Sequence, residues 1–134
     1  MAISTPVTAG VNATAGQHND VRTDAITRQT IYVFEVKGTL VTGDGQGATH
    51  IIKKTGTVTK IKHIINNGTG TATIEIAKSG ATVDSGVSVT TTAADDSSIS
   101  SPAVTENQLL TLNIDAVGSS AANLVVQVFV DETL

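Results

Sequence analysis

The stretch from Gln108 to Asp131 limits the fold more than any other part of this chain. Leu110, Leu112, Ile114 and Ala116 alternate with Thr111, Asn113 and Asp115. After the small residues Gly118, Ser119 and Ser120, the apolar positions Leu124, Val126, Val128 and Val130 alternate with Val125, Gln127 and Phe129. A period of two gives a strand one inward and one outward face. The pattern reads as a closing hairpin, and an isolated hairpin is marginal in water. It needs a sheet beside it and a second layer above it. The predicted fold class is therefore all-β, an antiparallel β-sandwich or jelly-roll-like body, with an N-terminal extended arm and one short helix.

At 134 residues the chain is long enough for one domain with a real core. Thr, Val and Ile are abundant and favour strands. Aromatic residues make up only 2%, so the core must be aliphatic, and stacking platforms for nucleic acid are not available. All eight basic residues lie at or before Lys78. Residues 1–79 carry a net +3, and residues 80–134 hold seven acids and no base. Such asymmetry suits neighbouring copies meeting head to flank, or simply loops of different charge. No polybasic run suits DNA or an anionic membrane. There is no cysteine, hence no disulfide framework. No apolar run approaches a membrane span, and MAISTPVTAG lacks the regions of a signal peptide. Synthesis in the cytoplasm without Sec export is expected.

Residues 1–12 read as an extended arm. Thr14-Ala15-Gly16-Gln17 fits a capping box, which predicts a short helix from Thr14 to about Arg28. Val21 and Ala25 share its apolar stripe with Ile26 beside it, and Asp24 stands four residues before Arg28. Residues 1–29 are thus expected to form an anchor and residues 30–134 the β domain. Strands are expected over Ile31–Thr42 (Tyr32, Phe34, Val36 and Leu40 on one parity), His50–Lys54, Thr57–Asn66 with a bulge, and Thr71–Ser79. Gly43–Gly47, Asn66-Asn67-Gly68, Ser79-Gly80 and Glu106-Asn107 read as turns. Val83, Val87 and Val89 can pair in a further strand, and Thr90–Ser101 reads as a polar loop before Pro102. Seven or eight strands result.

No constellation points to a reaction. His18, His50 and His63 lie on three different elements without ligand spacing, so they read as surface or boundary imidazoles and not as zinc ligands. Asp95 and Asp96, with Asp84 nearby, lack the spacing of a calcium loop. As a catalytic pair, adjacent residues on an extended chain point apart, and a solvated loop is the expectation. Gly43-Asp44-Gly45-Gln46-Gly47 is followed by a strand and not by the helix that a phosphate loop requires. Asn12-Ala13-Thr14 and Asn67-Gly68-Thr69 match a glycosylation acceptor but serve turns and caps equally well. No catalytic residue, cofactor or metal is predicted. Strand edges and an extended arm can instead bind other chains by strand addition.

Two stretches resemble known proteins. Ala13 to Ile26 (ATAGQHNDVRTDAI) resembles a segment common near the N-terminus of tailed-phage virion proteins: Ala-Thr-Ala, then Asn, then Leu/Val-Arg-x-Asp-Ala. From Val33 to Val130, the landmarks are Gly38-Thr39-Leu40, Gly56 to Ile61, Gly68 to Ile74, Lys78 to Thr82, Leu110 to Gly118 and Asn123 to Val128. Their order is similar to the β-sandwich modules of phage head decoration proteins, head fibres and tail appendages. Ser79-Gly80-Ala81-Thr82 and Glu106-Asn107 depart from the usual Asn-Gly-Thr and Gly-Asp of that pattern. The resemblance implies a capsid decoration (cement) protein, not an enzyme, on the virion surface. Its implied partners are the major capsid protein and copies of itself, as a homotrimer, with no nucleic acid and no membrane. Val21, Arg22, Ala25 and Ile26 would make the docking face. The alternative is a head-fibre, tail-fibre or baseplate subunit that binds a host receptor.

Overall fold

The computed structural model describes residues 27–66 and 69–133. The extended arm, most of the expected helix and the residues Val21, Arg22, Ala25 and Ile26 lie outside the described residues, as do His18 and the Asn67-Gly68 part of one expected turn. Nine strands are present among the described residues: β1 (Thr27–Thr39), β2 (Gly43–Ile51), β3 (Gly56–Ile65), β4 (Thr71–Lys78), β5 (Ala81–Val89), β6 (Ala94–Asp96), β7 (Ala103–Val104), β8 (Leu109–Gly118) and β9 (Ala122–Thr133). They form two antiparallel sheets. Sheet A has the order β1-β9-β3-β6, with β7 also on β3, and sheet B has the order β2-β8-β4-β5.

Alternation builds both sheets. Tyr32 and Phe34 of β1 stand opposite Val128 and Val126 of β9, which stand opposite Ile61 and His63 of β3. In sheet B, Leu112 faces Ile76 and Ile114 faces Ile74. These rows are buried and join a single apolar cluster drawn from both sheets. Burying a large aliphatic or aromatic side chain contributes about 1.5–3 kcal/mol, so the cluster is the main source of stability. The aliphatic core expected from the low aromatic content is present, with Phe34 and Tyr32 as its aromatic members.

Several expectations need correction. β8 and β9 follow one another but do not pair: β8 lies between β2 and β4 in sheet B, and β9 between β1 and β3 in sheet A. Ser119 and Ser120, at φ 56° and 58°, turn the chain from one sheet into the other. Local alternation cannot distinguish a hairpin from such a crossing. Ala116 is exposed and Val117 packs on the core, because β4 and β8 shift register between Thr73 and Ile74. Gly43–Gly47 is not a free turn; it is the first half of β2, and its register shifts on either side of Gln46. The strand begins at Thr27, where a helix was expected, since Thr27, Arg28 and Gln29 pair with Thr133, Glu132 and Asp131.

Other local readings hold. Ser79 and Gly80 (φ 47° and 85°) make the two-residue turn between β4 and β5, where positive φ at both positions matches strand twist. The bulge expected in β3 falls between Val58 and Lys60. Gly56 is required by packing: a Cβ there would lie well under 3.0 Å from the Asp131 carbonyl oxygen. The register itself is testable with adjacent residues of β1. Phe34→Ala should lower the unfolding free energy by about 3–5 kcal/mol. Val33→Ala should change it by less than about 0.5 kcal/mol. Urea denaturation of both variants checks the assignment of inward and outward faces.

Candidate interaction surfaces and the seam between the sheets

The outward faces of the two sheets differ. On sheet A the outward rows are Ile31–Phe129–Lys60, Val33–Gln127–Lys62 and Glu35–Val125–Ile64. Ile31 and Val33 are 45% and 42% exposed. The Lys60 ammonium sits 4.5 Å from the centre of the Phe129 ring, so Phe129 faces outward beneath a cation. Two shallow hollows flank Val125, one of about 210 Å³ beside Glu35, Asn66 and Asn123, the other of about 140 Å³ beside Lys62, Ile64 and Gln127. This face mixes the apolar Ile31, Val33, Val125, Ile64 and Phe129 with Gln127 at its middle and Glu35, Lys60 and Lys62 around it.

Sheet B presents polar groups instead. Glu75 accepts hydrogen bonds from Thr82 Oγ1 (2.6 Å) and Asn113 Nδ2 (3.0 Å), and Asn113 Oδ1 accepts from the Gly45 N–H (3.0 Å). One carboxylate thereby ties β4 to β5 and, through Asn113, to β8 and β2. A hollow of about 290 Å³ beyond it is lined by Thr71, Thr73, Ser88 and Ala116. Ile51 and Leu109, which pair with each other, form a smaller exposed apolar spot.

The sheet edges also differ. β2 and β5 carry register shifts, and β6 and β7 are three and two residues long; such features blunt an edge against strand addition. β1 has an unbroken register from Thr27 to Val36. Its middle is covered by β2: His50 Nε2–H donates to the Val33 carbonyl at 2.7 Å, and the imidazole meets the Phe34 ring edge-on at 4.8 Å.

The residues weighed for chemistry fall apart or inward. Asp95 and Asp96 do point apart, as adjacent strand residues must, but they lie on β6 and not in a solvated loop. Asp95 faces outward to Lys60 and Lys62, 3.9 Å from each. Lys54 similarly approaches Glu106 at 3.9 Å. The charge asymmetry of the sequence is thus partly matched within one copy, since basic β3 lies beside acidic β6. Exposed pairs of this kind contribute about 0–1 kcal/mol. Asp96 faces inward, opposite Ile61 on β3, and its carboxyl raises that of Asp84.

His63 is not a surface imidazole. It occupies the inward row of β3, 4% exposed, with Nδ1 unpartnered. Burial holds its pKa below the ordinary value, opposed by the charges of Asp96 and Asp95. The spacing Ile61, His63, Ile65 carried the signal for this placement, since the histidine takes an apolar position in the alternation. Among the described residues, no three His, Asp or Glu side chains gather as metal ligands.

No family model matches this chain, and no curated protein matches it. Among solved structures, the chain is similar to one in the acidic stable capsid structure of Helicobacter pylori bacteriophage KHP30. The identity is 10% over 78% of this chain and 92% of that one, with a TM-score of 0.48. It is also similar to FLHE, at 12% identity over 81% of this chain and 96% of that one, with a TM-score of 0.41. Both likenesses are too distant to bear on function.

The Glu75 network predicts an acid-side dependence. The Thr82 bond, then the Asn113 bond, hold the Glu75 carboxyl below its ordinary value. A carboxylate whose pKa is lower folded than unfolded stabilises the fold above the ordinary glutamate range, and that contribution is lost as pH falls through the folded value. Wild type should therefore exceed Glu75→Gln in urea midpoint at neutral pH. The difference should shrink as pH is lowered past the ordinary glutamate value.

Proposed function

We propose that this chain is a structural protein of a tailed-phage virion, a decoration protein on the outer face of the capsid. The observation that carries the reading is the sequence resemblance, in two stretches, to phage virion proteins: Ala13 to Ile26 and Val33 to Val130. The strand order supports it. With β6 and β7 taken as one interrupted strand on β3, the sheets read 1-9-3-6/7 and 2-8-4-5. We read that order as a jelly-roll sandwich, an architecture of viral capsid domains as well as of lectins and cupins. The fold alone does not assign the function. A further support is the exposed apolar pair Ile31 and Val33 on the outward face of sheet A, which suits a protein whose work is contact.

In this reading residues 1–29 anchor the protein to the major capsid protein or to a neighbouring copy. Val21, Ala25 and Ile26 supply apolar contacts, and Arg22 a charged one. Copies associate as trimers, and the β-sandwich adds contacts that hold the shell against internal pressure. No reaction and no cofactor is part of this role. The second reading, a fibre subunit that binds a host receptor, is favoured by the hydroxyl-lined hollow on sheet B, which offers Thr71, Thr73 and Ser88 to a polar ligand.

The anchor is tested in the full chain. Val21→Asp combined with Ile26→Asp should reduce binding to undecorated phage shells at least tenfold, read by co-sedimentation, with the urea midpoint unchanged. Undiminished binding by a folded double variant would refute the anchor.

A further inference from the structure

The residues after β6 bridge the open side between the sheets. The chain leaves sheet A at Asp96, passes the β5 edge of sheet B and returns to sheet A at Ala103. This strap is tied to sheet B at several points. The Ser101 N–H donates to the Val83 carbonyl at 2.9 Å, and Ser100 Oγ donates to Asp84 Oδ1 at 3.1 Å. Lys78 of β4 donates from Nζ to Ser101 O and Oγ, at 3.2 Å each, and to the Ala103 carbonyl. Ile99 packs on the core.

Strand register places one aspartate on each side of this seam. In sheet A the inward row Tyr32, Val128, Ile61 continues to Asp96 on β6. In sheet B the inward row Leu112, Ile76 continues to Asp84 on β5. Both edge positions hold the same strap, Asp96 at Ser98 and Asp84 at Ser100, and the Asp96 carboxyl raises that of Asp84. Asp84 is only 4% exposed, and no N–H or hydroxyl donor reaches its Oδ2. Asp96 Oδ1 accepts from the Ser98 N–H at 3.0 Å. Two neighbouring carboxylates disfavour joint ionisation, and one proton between them supplies the donor that Asp84 Oδ2 lacks.

The surrounding charges do not replace that proton. Lys60 and Lys62 turn outward to Asp95. Lys78 is engaged by the strap carbonyls. Glu75 is engaged by Thr82 and Asn113 on the outer face. His63 lies inward near Asp96, and its burial favours the neutral ring.

We propose that Asp84 and Asp96 form a proton-binding latch, in which one shared proton fastens the strap of residues 97–101 across the seam and its loss releases the strap. The direction of the pH dependence follows. Burial first, then the Asp96 hydrogen bond, raise the Asp84 carboxyl above its ordinary value against the bonds from Ser100. A carboxyl raised in the folded state contributes fully below its unfolded value and loses that contribution as pH rises through the folded value. His63 has the opposite sign. Its depressed value contributes above the ordinary histidine range, and this is lost as pH falls through the folded value. A readout local to the strap separates the two.

The test uses the full chain, with carbon-13 carboxyl NMR and amide exchange corrected for intrinsic rates. Asp84 should titrate above the ordinary aspartate value. Protection of the Ser101 amide should fall roughly tenfold for each pH unit by which Asp84 exceeds the ordinary aspartate value. Asp84→Asn and, separately, Asp96→Asn keep a donor across the seam and should abolish that fall. Three results would overturn the latch: Asp84 titrating at the ordinary aspartate value, Ser101 protection indifferent to Asp84 ionisation, or the same fall surviving in a folded variant. The wild-type titration decides even if one variant does not fold.

Discussion

The inward row of β9 is the constraint on which the rest depends. Leu124, Val126, Val128 and Val130 are fully buried, and the strand that carries them is paired on both sides, by β1 and by β3. Once this row must be covered, sheet B has to lie above it, with Leu110, Leu112, Ile114, Ile74 and Ile76 directed at it. Most consecutive strands then pass from one sheet to the other, and among the described residues only β4 and β5 are joined as a tight hairpin in the same sheet. Nearly all the binding between distant parts of the chain is therefore aliphatic packing, with backbone ladders fixing its register.

Such an arrangement leaves its difficulties at the edges. A sheet centre buries Val and Ile without cost, but each edge strand has an inward row that ends somewhere. At the β5 and β6 edges those rows end in Asp84 and Asp96, where an apolar residue would have served packing alone. Removing charge from water is expensive unless it is paired or neutralised. A shared proton neutralises the pair, and the strap of residues 97–101 covers it. At the β1 edge the solution differs: β2 folds its glycines and His50 over the strand's middle, leaving Ile31 and Val33 on the outward face.

The all-β class, the inward parity of Tyr32 and Phe34, the bulge of β3 and the Ser79-Gly80 turn were legible in the sequence because each depends on neighbours along the chain. The sheet crossing after Gly118 was not, since Leu112 and Val126 alternate alike whether their strands pair or stack. Neither was β2, whose glycines mimic a free turn while it pairs irregularly with β8. The meeting of Asp84 and Asp96 depends on two registers at once and leaves no local mark. His63 was legible in principle: it stands in an alternating apolar series, and that position outweighs the usual preference of histidine for the surface.

The proposed shell decoration joins the segment before β1 that resembles phage virion proteins, the exposed Ile31 and Val33 of sheet A and the strand order into one account. The copy number of this chain in purified particles, by quantitative mass spectrometry against the major capsid protein, tests it most directly. The account predicts a ratio near one to one or one to a small integer. A ratio of only a few copies per particle would contradict shell decoration and would place the protein in a vertex fibre or tail appendage.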